Sequence, residues 1–324
     1  MNTLRFHDTG KPGEVLQLED LSLEPLADGE VRLKILAAPL NPADLNFIEG
    51  TYGVKPELPA VPGIEGCGEV VESRDASFRI GDRAILLRRA GTWATHVQLP
   101  ADQLFRLPDE IDPVQAAMLK VNPATAWQLL TGFADLDTGS WIVQNAANSA
   151  VGRCVITLAK SLGIRTINLV RREELREELL ALGADHVLVE GDTTVNEAKE
   201  LLGKERPKLA FNCVGGESAL RLMSLLGVGG IHITYGAMAR RPVTVPNGML
   251  IFKDIQVRGL WVSRWVETAS TEELRRVYGN LAQEIAAGTL SMPVDSTFRL
   301  EDFSKAIERL DSPERNGKVL LVPA

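Results

Sequence analysis

The residues best suited to chemistry lie near the middle of the chain. Trp141-Ile142-Val143 are apolar and β-prone, and Gln144 to Gly152 run on through a turn of small side chains: Asn145, Ala146, Ala147, Asn148, Ser149, Ala150, Val151. From Arg153 to Gly163 the apolar spacing is helical, with Gly163 as a stop. A strand, a small-residue turn and a helix start in succession make a seat for a diphosphate, because unpaired amide N–H groups and the positive helix end both face it. The glycine-rich dinucleotide fingerprint is met only in part, since Ala146, Ser149 and Ala150 stand where related turns often carry Gly. The alternative is a plain strand-turn-helix packing unit, and the next stretch argues against it. Thr166–Val170 reads as a second strand ending about 20 residues after the turn, where a ribose-reading residue stands. NAD sites place Asp or Glu there. This chain places Arg171 and Arg172, which favours a 2′-phosphate and hence NADPH; the alternative is two solvated arginines at a helix start beside Glu173 and Glu174.

Such a turn has to be carried by a parallel sheet, and the middle of the chain alternates strand and helix as that requires. Leu209–Val214, Gly230–Gly236 and Ile255–Trp261 read as further strands, which makes this part a doubly wound α/β unit. The first third is β-rich instead. Val31–Ala38, Gly68–Glu72, Arg83–Leu87 and Thr92–Leu99 read as strands, and the prolines from Pro39 to Pro62 mark the stretch between the first two as mostly loop and short turns. Near the end, Thr271–Gly288 and Glu301–Leu310 read as helices and Met292–Leu300 and Lys318–Val322 as strands. These last strands are placed with the N-terminal β-rich part, which makes that domain discontinuous: residues 1–118 with 266–324, around a cofactor domain of 119–265.

With 324 residues, 24% of them charged and 45% hydrophobic, the chain has room for two globular domains. A net charge of −8 speaks against a general nucleic-acid binder. A phosphate-bearing ligand must therefore meet local positive charge, for which Arg88-Arg89, Arg171-Arg172 and Arg240-Arg241 are the candidates. No apolar run is long enough to span a bilayer. The first residues run straight into strand-like sequence, with neither a secretory apolar core nor an Arg/Ser-rich leader. Cys67, Cys154 and Cys213 are scattered and read as small buried residues in a reducing cytoplasm. The four histidines, His7, His96, His186 and His232, are dispersed and read as packing residues.

Several stretches together resemble the medium-chain dehydrogenase/reductase superfamily over nearly the whole length. They are Asn41–Asn46 with Gly50–Gly53, Leu58–Gly66, Val121–Pro123, Gln144–Ser149, Asn212–Gly216, Tyr235–Ala239, and Ile251–Asp254 with Gly259–Trp261. Within the superfamily the chain is most similar to mitochondrial-type trans-2-enoyl-CoA reductases, and quinone reductases share much of the same framework. The resemblance implies a Rossmann cofactor domain beside a GroES-like β-rich catalytic domain. Zinc members place a Cys near Asn41–Asp44 and a His before the Glu of the Gly-rich stretch. Here the first region has no Cys and the second position is Ile64, and a structural zinc needing four thiolates has only three cysteines to draw on. No metal is expected.

By the same resemblance Tyr52 matches a proton-donating tyrosine, and Trp261 a tryptophan lining the nicotinamide and acyl end. Asn122 matches a residue near the nicotinamide ribose, Asn148, Ser149, Ala150 and Val151 the diphosphate turn, and Arg171 and Arg172 the 2′-phosphate site. Tyr235, Gly236, Ala237 and Met238 match a backbone segment along the cofactor, and Lys318 a C-terminal lysine that reaches the cofactor from the other domain. Without the resemblance, Tyr52 is an ordinary loop aromatic and Trp261 a core filler. The activity implied is NADPH-dependent, zinc-free reduction of the carbon–carbon double bond of 2-enoyl thioesters, on CoA or an acyl carrier protein, by a homodimer. The alternatives are an NADPH quinone or enone oxidoreductase on the same fold, and a dinucleotide-binding sensor without turnover.

Overall fold

The computed structural model describes residues 1–323. It divides into two compact units, residues 1–121 with 263–324 and residues 122–262. The first contains β1 (Asn2–Arg5), β2 (Gln17–Asp20), β3 (Glu30–Pro39), β4 (Cys67–Ser73), β5 (Arg83–Leu86), β6 (His96–Pro100) and β7 (Leu104–Arg106). The second contains β8 (Trp141–Gln144), β9 (Arg165–Val170), β10 (His186–Val189), β11 (Leu209–Asn212), β12 (Ile231–Thr234) and β13 (Gln256–Gly259). The chain then returns to the first unit with β14 (Val294–Phe298) and β15 (Lys318–Leu321).

The six strands of the second unit are all parallel, in the order β10-β9-β8-β11-β12-β13. Numbered from β8, that is the 3-2-1-4-5-6 doubly wound arrangement, which opens a crevice where the order reverses, between the carboxyl ends of β8 and β11. The central strands can be short because both faces are buried: all four residues of β8 and of β11 are inaccessible. The strand β10 is not apparent from alternation alone. It is short and opens on His186, whose ring stacks on Trp141 with 5.5 Å between centroids. At the opposite edge, all four residues of β13 are exposed.

The first unit is built on a seven-stranded sheet, β14-β15-β3-β4-β5-β7 with β6 also on β3. One face covers a core that includes Leu4, Phe6, Leu33, Ile35, Phe47, Ile48 and Trp93. The proline-rich stretch holds more order than expected. Pro42–Ile48 is a helix, with Pro42 in its first turn and a capping box in which Asn41 and Asp44 exchange side-chain and backbone hydrogen bonds. Proline suits a helix start, where its missing N–H has no partner to lose. The alternating run from Thr92 is also a strand only from His96 onward, because Trp93 turns fully into the core. The histidines divide. Burial pushes His232 down to about 4, so its ring is neutral packing. His7, by contrast, is half exposed and shares a hydrogen bond with Glu19 Oε1 at 2.6 Å, so it is a surface polar contact and not a packing residue.

Candidate active site and cofactor-binding turn

Within the cofactor unit, the 148–151 turn, Arg171-Arg172 and Tyr235–Met238 follow the carboxyl ends of β8, β9 and β12. Ala146 follows β8 with φ +46, in the left-handed region that favours glycine, which accounts for the Gly that related turns carry there. Ser149 caps the Ala150–Ser161 helix, its hydroxyl accepting from the Gly152 N–H at 3.1 Å. At Gly152 a Cβ would lie 2.5 Å from the Ala147 carbonyl oxygen, so no larger residue lets the helix start this close to the turn. Arg153 Nε donates to the Asn148 carbonyl oxygen at 3.1 Å and fixes the turn from behind. Two further amides steady it from below. Gln144 Nε2 donates to Gly152 O at 2.9 Å and to Asn168 Oδ1 at 2.7 Å, tying β8 to the helix and to β9.

Arg171 and Arg172 come directly after β9, and both side chains are exposed on the same carboxyl edge. Tyr235–Met238 follow β12, and their backbone is bonded to the segment after β11: Tyr235 N to Asn212 O at 2.9 Å and Met238 N to Cys213 O at 2.8 Å. The Tyr235 hydroxyl lies beside Cys213 and Ser149, and burial raises its pKa well above the ordinary value. Asn122 opens the Asn122–Thr131 helix; it is 6% exposed and its Nδ2 makes no hydrogen bond among the described residues. Trp261 stands just beyond β13 and is 40% exposed. A capped helix start, a tight turn, exposed arginines and a buried amide donor form a donor set that fits a phosphorylated dinucleotide.

Sequence reasoning passed over the asparagines at the crevice. Asn145 Nδ2 donates to Asn212 Oδ1 at 2.8 Å and to Ser218 Oγ at 2.8 Å, while Asn145 Oδ1 accepts from Cys213 N. Asn212 Oδ1 also accepts from the Val214 and Gly215 amides. These bonds hold the ends of β8 and β11 in register at the switch point. The one local signal is an Asn at the end of an apolar strand or directly after it: Asn212 closes β11 and Asn145 follows β8.

The catalytic unit holds Tyr52 and Lys318. Tyr52 lies in the loop after the Pro42–Ile48 helix; its ring is half-buried against the core, and its backbone N–H donates to Asn46 O at 3.0 Å. Lys318, on β15, is buried and its Nζ donates to Asn41 Oδ1 and to Leu40 O. Asn41 Nδ2 in turn donates to Glu65 Oε1 at 2.8 Å, and Glu65 Oε2 accepts from Val121 N at 2.8 Å. Glu65 is fully buried, and burial pushes its carboxyl up against the opposing charge of Lys318. Lys120, beside it, is pushed down by burial and donates to Ile64 O at 2.7 Å. The region that carries zinc ligands in related proteins is thus a closed polar cluster of amide, carboxylate and ammonium groups. Ile64 stands where zinc members carry a His, 41–44 holds no Cys, and no group of three His, Cys, Asp or Glu side chains converges anywhere among the described residues.

Residues 27–109 match the alcohol dehydrogenase GroES-like domain, and residues 150–279 match the zinc-binding dehydrogenase domain. A mitochondrial enoyl-[acyl-carrier-protein] reductase from Xenopus tropicalis is 43% identical over 98% of this chain and 94% of its own length. The chain belongs to the medium-chain dehydrogenase/reductase superfamily, in its enoyl reductase branch. Among solved structures, a putative NADPH:quinone reductase from Bacillus thuringiensis covers 100% of this chain and 99% of its own, with a TM-score of 0.92 and 31% identity. A complex of Etr1p with NADP and crotonyl-CoA covers 99% of both chains, with a TM-score of 0.89 and 28% identity. In this superfamily the fold is shared and the site decides the chemistry.

Proposed function

We propose that the chain is an NADPH-dependent, metal-independent reductase of trans-2-enoyl thioesters. The observation that carries this is the Arg171-Arg172 pair beyond β9, on the same sheet edge as the Ser149-capped helix, in a chain so similar to enoyl-[acyl-carrier-protein] reductases along its full length. NADPH, when bound, supplies hydride to the β-carbon of the conjugated double bond. The Asn148–Val151 turn takes the diphosphate on its amide N–H groups, and Arg171 and Arg172 take the 2′-phosphate. Asn122, Tyr235, Gly236, Ala237, Met238 and Lys318 are assigned to the same cofactor, and Trp261 to the nicotinamide and acyl end.

Tyr52 then delivers a proton to the α-carbon of the substrate. A phenol hydroxyl carries a proton that it can donate, as an acid must. Negative charge builds on the thioester oxygen as the double bond is reduced, and hydrogen-bond donors aimed at that oxygen lower the barrier. The carrier is CoA or an acyl carrier protein. The likeness to the Bacillus protein favours, as the second candidate, reduction of a quinone or enone on the same scaffold. NADPH oxidation measured with crotonyl-CoA and with a simple quinone tests the two. Turnover of the thioester supports the enoyl reductase, turnover of the quinone alone replaces it, and turnover of neither leaves a dinucleotide sensor.

A homodimer joined through β13 belongs to the same proposal. That strand is the open edge of the sheet, and the apolar side chains around it lie bare: Ile251 is 70% exposed, Phe252 82% and Val228 80%. Open edges and apolar patches of this kind are normally covered by a partner, and a two-fold axis at the edge pairs two copies of the strand antiparallel. Among the described residues no helix is long and apolar enough to cross a membrane. All three cysteines are buried and none is in a disulfide, which suits a reducing compartment such as the cytoplasm; the relatives are named mitochondrial.

A further inference from the structure

The pair Arg88-Arg89 divides sharply. Arg88 points to solvent, while Arg89 turns inward from the loop after β5. Its guanidinium carbon lies 4.2 Å from the centroid of the Phe47 ring and 5.4 Å from that of Tyr52. Nη1 is 3.6 Å from Asp44 Oδ1, and the Asp44 side chain is fully buried. Burial raises the Asp44 carboxyl, and the Arg89 charge opposes that shift. Nη1 and Nη2 are themselves closed off from solvent and make no hydrogen bond among the described residues.

Burying a guanidinium without hydrogen bonds costs free energy, and filling the same space needs only an apolar side chain. The charge is held here by one carboxylate and two aromatic faces. Its terminal nitrogens, sealed from solvent, are out of reach of a substrate. What the charge does reach is the Tyr52 ring.

We propose that Arg89 is a positioning residue for proton transfer, clamping the Tyr52 ring by its face and favouring the charge that ring acquires. This rests on Tyr52 being the proton donor. In the transfer, the Tyr52 O–H bond breaks, the electron pair of the substrate enolate forms the new α-carbon–hydrogen bond, and a phenolate remains until water returns a proton. A phenolate ring is richer in electrons than a phenol, so a cation over its face attracts it more strongly. The interaction therefore tightens toward the transition state, which is the kind of contact that raises kcat. Asp44 keeps the guanidinium in place, and Phe47 backs it.

The test compares Arg89→Met, Arg89→Lys, Tyr52→Phe and the double variant Arg89→Met/Tyr52→Phe, with crotonyl-CoA as substrate. Because Arg89→Met strands the Asp44 carboxylate, Asp44→Asn/Arg89→Met is included, which removes both charges together. Arg89→Met is expected to lower kcat roughly 2- to 30-fold, the scale of a partly desolvated cation–π contact. KM for NADPH and for the thioester should stay within about twofold, because contacts made only in the transition state act on kcat. Asp44→Asn/Arg89→Met should show a similar loss, and Arg89→Lys should recover part of it. In the Tyr52→Phe background the Arg89 change should have almost no further effect. An equal loss in that background overturns the proposal, as does an unchanged kcat in Arg89→Met or in the double-charge variant. If Tyr52→Phe itself keeps a normal kcat, the Tyr52 assignment fails and takes this proposal with it. If Tyr52→Phe is slow while Arg89→Met is not, only the role of Arg89 fails.

Discussion

Lys318 donates a hydrogen bond from Nζ to Asn41 Oδ1, linking the last strand of the chain to the residue that caps the helix before Tyr52. Asn41 also reaches Glu65, so a buried polar chain runs under the element that carries the proposed acid. The Tyr52 loop thus starts from a fixed base.

Tyr52→Phe keeps the ring and removes only the hydroxyl, so that base is undisturbed. The chemical step is expected to slow by about 10²–10⁴-fold, the usual scale for general acid catalysis, with NADPH affinity little changed. Stopped-flow measurement of NADPH oxidation and a binding titration check the two halves. In heavy water, deuterium should enter at the α-carbon and the label from NADPH at the β-carbon. A near-normal kcat would shift the proton source to water.

Changing Arg171→Ala together with Arg172→Ala should weaken NADPH far more than NADH. Losing hydrogen bonds to a charged group is worth roughly 1.5–3 kcal/mol, or about one to two decades in affinity. Fluorescence titration with both cofactors reads this directly. Equal losses for the two would make the arginines structural.

Phe252→Glu places a charge in the bare patch beside β13. Phe252 is 82% exposed, so the fold should tolerate the change, and the expected result is a monomer in analytical ultracentrifugation at concentrations where the unaltered chain is dimeric. An unchanged dimer would move the interface away from β13.

Acid should loosen the second segment of the catalytic unit at Asp295. Arg309 holds that carboxylate with two bonds, 2.7 Å from Nε and 2.8 Å from Nη2, and keeps its pKa well below the usual range. A group whose folded pKa is depressed contributes stability above its unfolded value, near 3.9, and loses it as pH falls from there through the folded value. Asp295→Asn should therefore lower the thermal midpoint at pH 7 by about 2–4 °C, and the gap to the unaltered chain should shrink as pH falls below about 4. A gap that persists at pH 2 would mean that shape, and not charge, matters at this position.

Local pattern made the cofactor unit legible. The apolar runs at Trp141, Thr166 and Leu209 are short and rich in β-prone residues, which reads as buried strands, and the turn after Trp141–Gln144 announces its use through its small side chains. The short helix at Pro42–Ile48 escaped because prolines read as punctuation, although one proline at a helix start is favourable. The inward turn of Trp93 escaped because alternation says which residues share a face but not where pairing begins.

What the sequence determined by itself was carried by neighbours along the chain: the alternation of strands and helices in the cofactor unit, the small-residue turn at 148–151 and the arginines beyond β9. The tertiary structure alone decided which distant side chains would share a low-dielectric space. Asn145 meets Asn212, and Asn41 meets both Glu65 and Lys318, across 67, 24 and 277 positions of sequence. Arg88 and Arg89 are adjacent and chemically identical, yet one is solvated while the other is sealed over Tyr52. Periodicity assigns a residue to a face, but a buried charge or amide persists only where partners from other elements arrive to satisfy it, and that depends on how the whole sheet is assembled.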